Sequence, residues 1–376
     1  MSTRVSGSPL PLTVFSLLAL LALVAVEGSR KEVRQRHYAD KLAAARTSRA
    51  AEQYLRNHRL EKGIFVDMVN DPNQSALIGQ QVTPTTTDRG DLGAKLASTN
   101  PNFAGVVVDL LKEAGIRSGD RVAVGMTGSF PALNISALSA LETVGAVPVV
   151  ITSVGSSSWG ANDPQFTWLD MERVLAGAGI LRTRSVAASM GGGGDVGRGL
   201  SPEGRDLLLD AIRRNGIPLI REDTLARSVR SRMRFYDGDS GFSPVRAFLN
   251  IGGGIASLGA AVNAQILPTG LSGRLWPKNY AGHGVIAEMA QRGVPVIHLY
   301  NVQELCARYG LPQEPVPLPS PGQGGVFAEE RYDTAVTASA AGVLLALLLA
   351  AAVLERRGHR LGSERVQSTP AEADEL

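Results

Sequence analysis

Small hydroxyl-bearing residues follow two apolar segments in the first half of the chain. Segments 121–125 and 147–152 are short, apolar and rich in β-branched residues, which is typical of buried strands. The polar residues after them are Thr127, Gly128 and Ser129, then Ser153, Ser156 and Ser157. Hydroxyl groups and free backbone amides at the start of a helix suit an anion such as a carboxylate or a phosphate. The alternative is that both are ordinary tight turns, with Ser129 capping a helix.

The segment between the two apolar runs has the pattern of a helix. Pro131 has its φ angle preset for a first helical position and needs no amide donor there. Leucine and valine residues then recur on one helical face, and Gly145 is placed to end the helix. Strand, helix and strand form a βαβ crossover with parallel strands buried on both faces. We therefore predict an α/β fold, a mostly parallel sheet flanked by helices in a Rossmann-like layered domain, with ligands beyond the carboxyl ends of the strands.

Two glycine-rich junctions follow later strand-like segments. Segment 186–190 leads into four glycines, 191–194, which could wrap a phosphate but lack the lysine and hydroxyl of a P-loop, so we exclude an NTPase. Segment 247–251 leads into Gly252, Gly253 and Gly254 before the next helical pattern. A dinucleotide site would need an acidic residue about 20 positions further on, at the end of an evident strand, and none is found. We expect a carboxylate or another small ligand at this junction, and no cofactor.

Asp163 lies in a loop of carboxylates, amides and aromatic residues after the second strand. Its carboxylate is a candidate ligand-binding, acid–base or metal-ligating group, although an aspartate before a proline more often starts a turn. His298 has no histidine or aspartate partner at metal-ligand spacing. The single cysteine, Cys306, excludes an internal disulfide framework and a cysteine metal cluster. We therefore predict no metal site.

Arg227, Arg230 and Arg234 recur at i, i+3 and i+7, on one side of a predicted helix. Such a side is either a solvated face or a binding surface for an anionic polymer or lipid headgroups. No aromatic residues accompany these arginines, and a domain outside the membrane would not meet nucleic acid, so we expect no nucleic-acid partner.

Both ends of the chain carry hydrophobic segments, whereas its 44% hydrophobic and 19% charged composition indicates a globular protein in between. Segment 10–26 just spans a hydrocarbon core of about 30 Å and is an uncleaved anchor or a signal peptide. Segment 334–354 contains no charge and predicts a transmembrane helix. We favour two membrane-spanning helices. The residues spaced by four in the second one, Ala338, Gly342, Ala346 and Ala350, form a smooth stripe for helix packing or for lipid.

Charges beside these segments predict the topology. Arg356, Arg357 and Arg360 hold the C-terminal tail in the cytoplasm, which places the globular domain of a two-pass protein outside the cytoplasm. The basic residues that follow the first helix argue the other way, although a long translocated domain overrides such charges. The predicted order is a membrane anchor (1–29), a polar helical stalk (30–62), the α/β domain (63–311), a Pro/Gly-rich linker (312–333), a transmembrane helix (334–354) and a polar tail (355–376).

Several segments resemble one bacterial protein family. They are MTGSFPALNISALSALE, TSVGSSSWGANDPQFTWLDMERVL, GGGGDVGRGLSPEGRDLL, ALIGQQVTPTTT and STNPNFAGVVVDLLKEAG. Over residues 77–309 the chain is similar to the poly-gamma-glutamate system proteins. The resemblance implies a membrane-anchored accessory protein of poly-gamma-glutamate (capsule polymer) synthesis or export, with synthase subunits and the polymer itself as partners. It implies a process and supplies no catalytic residues.

The rival hypothesis is an enzyme, a hydrolase or transferase acting on a gamma-glutamyl amide or a related carboxylate substrate. Ser129 and Ser156 are its candidate nucleophiles. Neither serine lies in a nucleophile elbow, and no histidine is evidently paired with one. The sequence therefore leaves the catalytic residues unassigned.

Overall fold

A computed structural model describes residues 10–238 and 243–367. The chain forms two compact units. One contains the described residues of Met1–Val33 and Glu329–Leu376, and the other is Arg34–Ala328. The last residues of the predicted polar tail, 368–376, and the first residues of the predicted anchor, 1–9, lie outside the described residues.

Helices and strands alternate along most of the chain. The helices are α1 (Leu10–Glu27), α2 (Tyr38–Glu61), α3 (Leu92–Ser98), α4 (Phe103–Glu113), α5 (Pro131–Val144), α6 (Trp168–Gly177), α7 (Pro202–Arg214), α8 (Leu225–Asp237), α9 (Ile255–Leu258), α10 (Asn263–Ile266), α11 (Val285–Gln291), α12 (Val302–Arg308) and α13 (Thr334–Gln367). The strands are β1 (Lys31–Arg34), β2 (Thr86–Asp88), β3 (Arg121–Thr127), β4 (Val147–Ser153), β5 (Ser156–Ser157), β6 (Ala187–Ser189), β7 (Val245–Ile251), β8 (Gly270–Ser272), β9 (Val296–Leu299) and β10 (Ala328–Arg331).

The larger unit is built on a six-stranded sheet in the order β6-β4-β3-β7-β9-β8. All neighbouring pairs are parallel except β8 with β9. Strand β3 lies between β4 and β7, so that Val124 has Val150 on one side and Leu249 on the other. The predicted α/β class and mostly parallel sheet are confirmed.

The βαβ crossover also forms as predicted. Helix α5 has Pro131 in its first turn and ends at Gly145, whose φ of 77° places it in the left-handed region that glycine adopts readily. Leu133, Leu138 and Leu141 are buried. The helix therefore lies on the sheet and returns the chain to β4, parallel to β3.

Two helical layers cover the two faces of this sheet. Val122 and Val124 of β3 belong to the core shared with α2, α4 and α5. Ala123, which points to the opposite face, packs in a second core with residues of α8 and α11. Since both faces are covered, the buried parts of the strands are mostly apolar.

Helix α2 differs from the predicted polar stalk over residues 30–62. It contacts α4 and α5 and buries Ala44, Ala45, Ala51 and Leu55 in the main core. Alanine is too small to mark an apolar face clearly in a sequence, and its small volume lets two helices approach closely. Strand β1 also occupies the start of the segment.

The predicted linker, 312–333, also contributes to the folded structure. Val326 and Phe327 are buried in the main core, and Phe327 lies beside Gly105 of α4, where an added Cβ would be 3.0 Å from its ring. Prolines in the sequence indicated a linker, but two apolar residues near its end anchor it to the domain.

The terminal unit pairs α1 with α13. These helices contact each other, and their partly buried residues include Leu18 and Ala22 of α1 and Ala340 and Leu344 of α13. The small-residue stripe from Ala338 to Ala350 is exposed instead. Among the described helices, Thr334–Leu354 is long and apolar enough to cross a membrane, whereas the apolar part of α1, Thr13–Glu27, is shorter.

We expect Leu133→Ala to lower the free energy of unfolding by about 2–5 kcal/mol, because it leaves a cavity in the main core. The measurement is denaturant unfolding of the full chain in detergent micelles, followed by near-UV circular dichroism. Leu219→Ala is the control, since Leu219 is 43% exposed, and should change the free energy by less than about 0.5 kcal/mol. Equal effects of the two substitutions would contradict this packing.

Candidate functional site

A cleft opens where the chain leaves β3 and β7 in opposite directions. After β3 the chain enters α5, on the face shared with α2 and α4, and after β7 it enters α9, which contacts α8 and α11. Neighbouring parallel strands whose connections diverge leave a crevice beyond their carboxyl ends, and ligands of open α/β sheets bind there. The cavity at this position has a volume of about 830 Å³.

Six of the predicted ligand-binding residues line this cavity. They are Thr127, Ser129, Ser153, Ser157, Gly253 and Gly254. Gly192 and Gly193, from the four-glycine segment, line it as well. The strand-end turns thus meet at one edge of the sheet, as the sequence predicted. Whether they bind a ligand stays a prediction.

Gly128, Ser156 and Gly252 lie behind the cavity wall. A Cβ at Gly252, whose φ is 84°, would be 2.5 Å from Oγ1 of Thr127, and a Cβ at Gly128 would be 2.5 Å from the carbonyl oxygen of Val154. These two glycines therefore allow the strand-end turns to touch. The buried hydroxyl of Ser156 donates to the carbonyl of Ser157 over 2.8 Å, so this candidate nucleophile faces away from the cleft.

Asp163 is elsewhere in the domain and does not line the cavity. Its Oδ1 accepts the backbone N–H of Gln165 at 2.9 Å, and its Oδ2 lies 3.9 Å from the guanidinium of Arg59. The turn-forming alternative describes this residue, because its carboxylate stabilises the local backbone.

Lys95 of α3 is the cleft residue that sequence reasoning missed. The side chain is 2% exposed, and its Nζ donates to the carbonyl of Ser129 and, at 2.9 Å, to Oγ of Ser157. The Nζ also lies 3.8 Å from the ring centre of Phe130. Burial lowers the pKa of Lys95 to about 7, and Asp91 offsets part of that decrease. No ion pair joins Lys95 to a carboxylate in the part of the chain that the structure describes.

Local structure holds Lys95 in place. Strand β2 pairs in parallel with β5, which sets Asp88 beside Ser157. The chain then turns into α3, where the side chain of Asp91 accepts the N–H of Ala94 at 2.7 Å as an N-cap. Helix α3 contacts α5 and α12. Helix α3 therefore places Lys95 beside the carboxyl ends of the sheet strands.

The other charged residues that line the cleft are three carboxylates and two guanidinium groups. They are Asp88, Arg89, Asp91, Glu304 and Arg308. Arg308 pairs with Glu304 and donates to the carbonyl of Thr269 at 3.0 Å. Lys95 is the buried cation of the cleft lining and has no carboxylate partner among the described residues, whereas Arg89 and Arg308 are exposed.

A buried ion pair lies under the floor of the cleft. Asp195 and Arg232 are 2.9 Å apart, and both side chains are almost completely buried. The four-glycine segment brings Asp195 inward, where Ser189 donates to its carboxylate at 2.6 Å and Ser228 at 2.5 Å. Arg232 also donates to Oγ of Ser153 at 3.1 Å. The ion pair of Asp195 and Arg232, whose charges neutralise each other, therefore orients the hydroxyl of Ser153 at the floor of the cleft.

The predicted arginine face lies on α8, away from the cleft lining. Arg227, Arg230 and Arg234 are all exposed. Arg227 pairs with Asp223 at 3.1 Å, and Arg234 lies 4.0 Å from Glu222. Nearby carboxylates therefore offset part of its positive charge.

His298 lies in β9 rather than at the cleft. It is 2% exposed, its Nδ1 is 3.0 Å from Nδ2 of Asn250, and burial lowers its pKa to about 4. No cluster of three histidine, cysteine or carboxylate side chains suited to a metal occurs among residues 10–238 and 243–367.

Comparisons of the chain with models of protein families, with curated proteins and with solved structures found no match.

We expect Asp195→Asn to lower the free energy of unfolding by about 3–5 kcal/mol, because it leaves the buried guanidinium of Arg232 without a counter-charge. Asp210→Asn is the matched control: Asp210 pairs with Arg213 at 2.6 Å on the surface, and its loss should cost less than about 1 kcal/mol. Thermal and denaturant unfolding of the full chain measure both. A small effect at Asp195 would mean that the pair contributes little to the floor of the cleft.

Proposed function

We propose that the α/β domain binds a carboxylate-bearing ligand in the cleft, with the ammonium of Lys95 as its counter-charge. The observation that carries this proposal is a buried lysine beside the strand-end turns, without a carboxylate partner among the described residues. A buried charge is costly unless it is paired. An anionic ligand removes that cost, and the hydroxyls of Ser129, Ser153 and Ser157 offer further hydrogen bonds.

The cellular role that we propose is that of a membrane-anchored accessory protein in poly-gamma-glutamate synthesis or export. Gamma-amide linkage leaves one free carboxylate on each glutamate, which matches the ligand chemistry of the cleft. A helix that is able to span a membrane supports anchoring. We further propose two membrane passes, an extracytoplasmic domain at the cell membrane and contact with synthase subunits, as the resemblance implies.

We assign ligand binding to the cleft rather than to the arginine face of α8. Asp223 and Glu222 lie near two of the three exposed arginines, whose charges are also screened by salt. The cleft encloses the ammonium of Lys95, so salt screens its charge less than the charges of the exposed arginines. Contact of Arg227, Arg230 and Arg234 with the polymer would add to the affinity without selecting the ligand.

Substitution of Lys95 tests the binding function. We expect Lys95→Met to weaken binding of a gamma-glutamyl oligomer about 10- to 150-fold, because a hydrogen bond to a charged group contributes about 1.5–3 kcal/mol. Isothermal titration calorimetry of the full chain in detergent measures this affinity. Lys62→Met, at an exposed position at the end of α2, should leave it unchanged. Unchanged binding by Lys95→Met would refute the proposal.

The same binding should depend on pH. The pKa of Lys95 is about 7 in the free protein, and a bound carboxylate would raise it. The favourable interaction is therefore fully present below pH 7 and is lost as the pH rises through the pKa of the complex. We expect the Kd to increase about tenfold from about pH 6 to about pH 8. A pH-independent Kd would show that Lys95 does not face the bound carboxylate.

Cysteine labelling tests the proposed topology. Cys306 is buried, so a new cysteine in Ser118→Cys, at an exposed position before β3, would be the accessible thiol of the folded domain. We expect a membrane-impermeant maleimide to label this variant in intact cells as strongly as in permeabilised cells. Labelling that appears only after permeabilisation would place the domain in the cytoplasm.

A further inference from the structure

The contact between Lys95 and Ser157 has the geometry of a nucleophile and its base. The two side chains approach to 2.9 Å between Nζ and Oγ, and both line the cleft. A third group orients the amine, since Nζ also donates to the carbonyl of Ser129. Nucleophile, base and orienting group are the three parts that covalent catalysis requires, and serine–lysine versions of this arrangement exist.

We propose that Ser157 and Lys95 form a catalytic pair that cleaves or transfers an acyl group, from an amide or ester bound in the cleft. This activity goes beyond ligand binding and uses a different serine from the two that the sequence indicated. Ser156 is turned away from the cavity, and Oγ of Ser129 instead accepts the backbone N–H of Ser157 at 3.0 Å. Ser129 therefore positions the nucleophile by fixing its backbone.

The proposed reaction balances with water as the only further reactant. Oγ of Ser157 bonds to the carbonyl carbon, its proton moves to Nζ of Lys95, and the carbonyl π electrons move to oxygen. When the intermediate collapses, the bond to the leaving amine or alcohol breaks, and that group takes the proton from Lys95. Water then gives a proton to Lys95 and attacks the acyl carbon, and the bond to Oγ breaks as Ser157 regains its proton. An amine in place of water would give transfer instead of hydrolysis.

The surroundings of Lys95 allow its neutral form. Burial removes the ammonium from water, and the described carboxylates near its helix, Asp91 and Glu314, do not form an ion pair with it. The charged residues that line the cleft with it come from β2, the turn before α3 and α12, and they are Asp88, Arg89, Asp91, Glu304 and Arg308. With a pKa of about 7, an appreciable fraction of Lys95 is neutral and able to accept a proton.

Ligand binding and the proposed reaction require opposite protonation states of Lys95, so the two roles can be separated by their pH dependence. Binding of a carboxylate needs the ammonium and weakens as the pH rises. Proton removal from Ser157 needs the amine and accelerates as the pH rises through about 7. Lys95→Arg keeps a cation but cannot act as a base, because a guanidinium does not lose its proton in proteins.

The experiment is labelling of the full chain in detergent with a fluorophosphonate, followed by mass spectrometry of the modified peptide. We expect modification at Ser157, with a rate that increases from about pH 6 to about pH 8. Ser157→Ala should abolish it, and Lys95→Arg should slow it at least about 100-fold, as expected for loss of a general base. Ser118→Ala, at an exposed position, is the control and should label at the original rate.

Near-UV circular dichroism shows whether each variant is folded, and binding of the gamma-glutamyl oligomer separates the two proposals. Ser157→Ala that binds the oligomer but resists labelling supports the catalytic pair. Labelling at another serine, or an unchanged rate in Lys95→Arg, would overturn it while leaving ligand binding intact. Labelling at Ser157 without oligomer binding would instead overturn the proposed ligand.

Discussion

The site depends on the parallel pairing of β3 with β4 on one side and β7 on the other. This arrangement brings the ends of three buried strands to one edge of the sheet, while their connections leave in different directions. The turns can touch only because glycine stands where a Cβ would strike Thr127 or the backbone of Val154. Packing of the sheet thus determines where the polar groups meet, and the cleft is a consequence of that packing.

Two buried cations near this edge have different electrostatic situations. Arg232 is neutralised by Asp195 and also donates to serine hydroxyls, so it stabilises the floor at the cost of desolvating both charges. Lys95 has hydroxyl, carbonyl and aromatic neighbours, and its charge is sensitive to pH and to whatever enters the cleft. One cation therefore has a structural role, and the other is free to respond to a ligand.

The strands, the α5 crossover and the meeting of the strand-end turns could be predicted from the sequence, because they depend on local periodicity and on the geometry of parallel sheets. Lys95 could not, since its burial requires α3 to fold over strand ends that come much later in the chain. Asp195 and Arg232 likewise meet across 37 residues, and no spacing rule connects them. Ser156 and Ser157 looked equivalent in sequence, yet the alternation of side chains in β5 leaves Ser157 in the cleft lining and buries Ser156.

The alanine-lined contact of α2 has a consequence for how this protein tolerates change. Ala44, Ala45 and Ala51 have no solvent exposure, although the helix around them is rich in arginine and glutamate. Larger side chains at these positions would force α2 away from α4 and α5, and overpacking of this kind typically costs about 1–3 kcal/mol. Helix α2 therefore has the composition of a surface helix but the packing of a core helix. At its buried alanines, the volume of a new side chain should matter more for stability than its polarity.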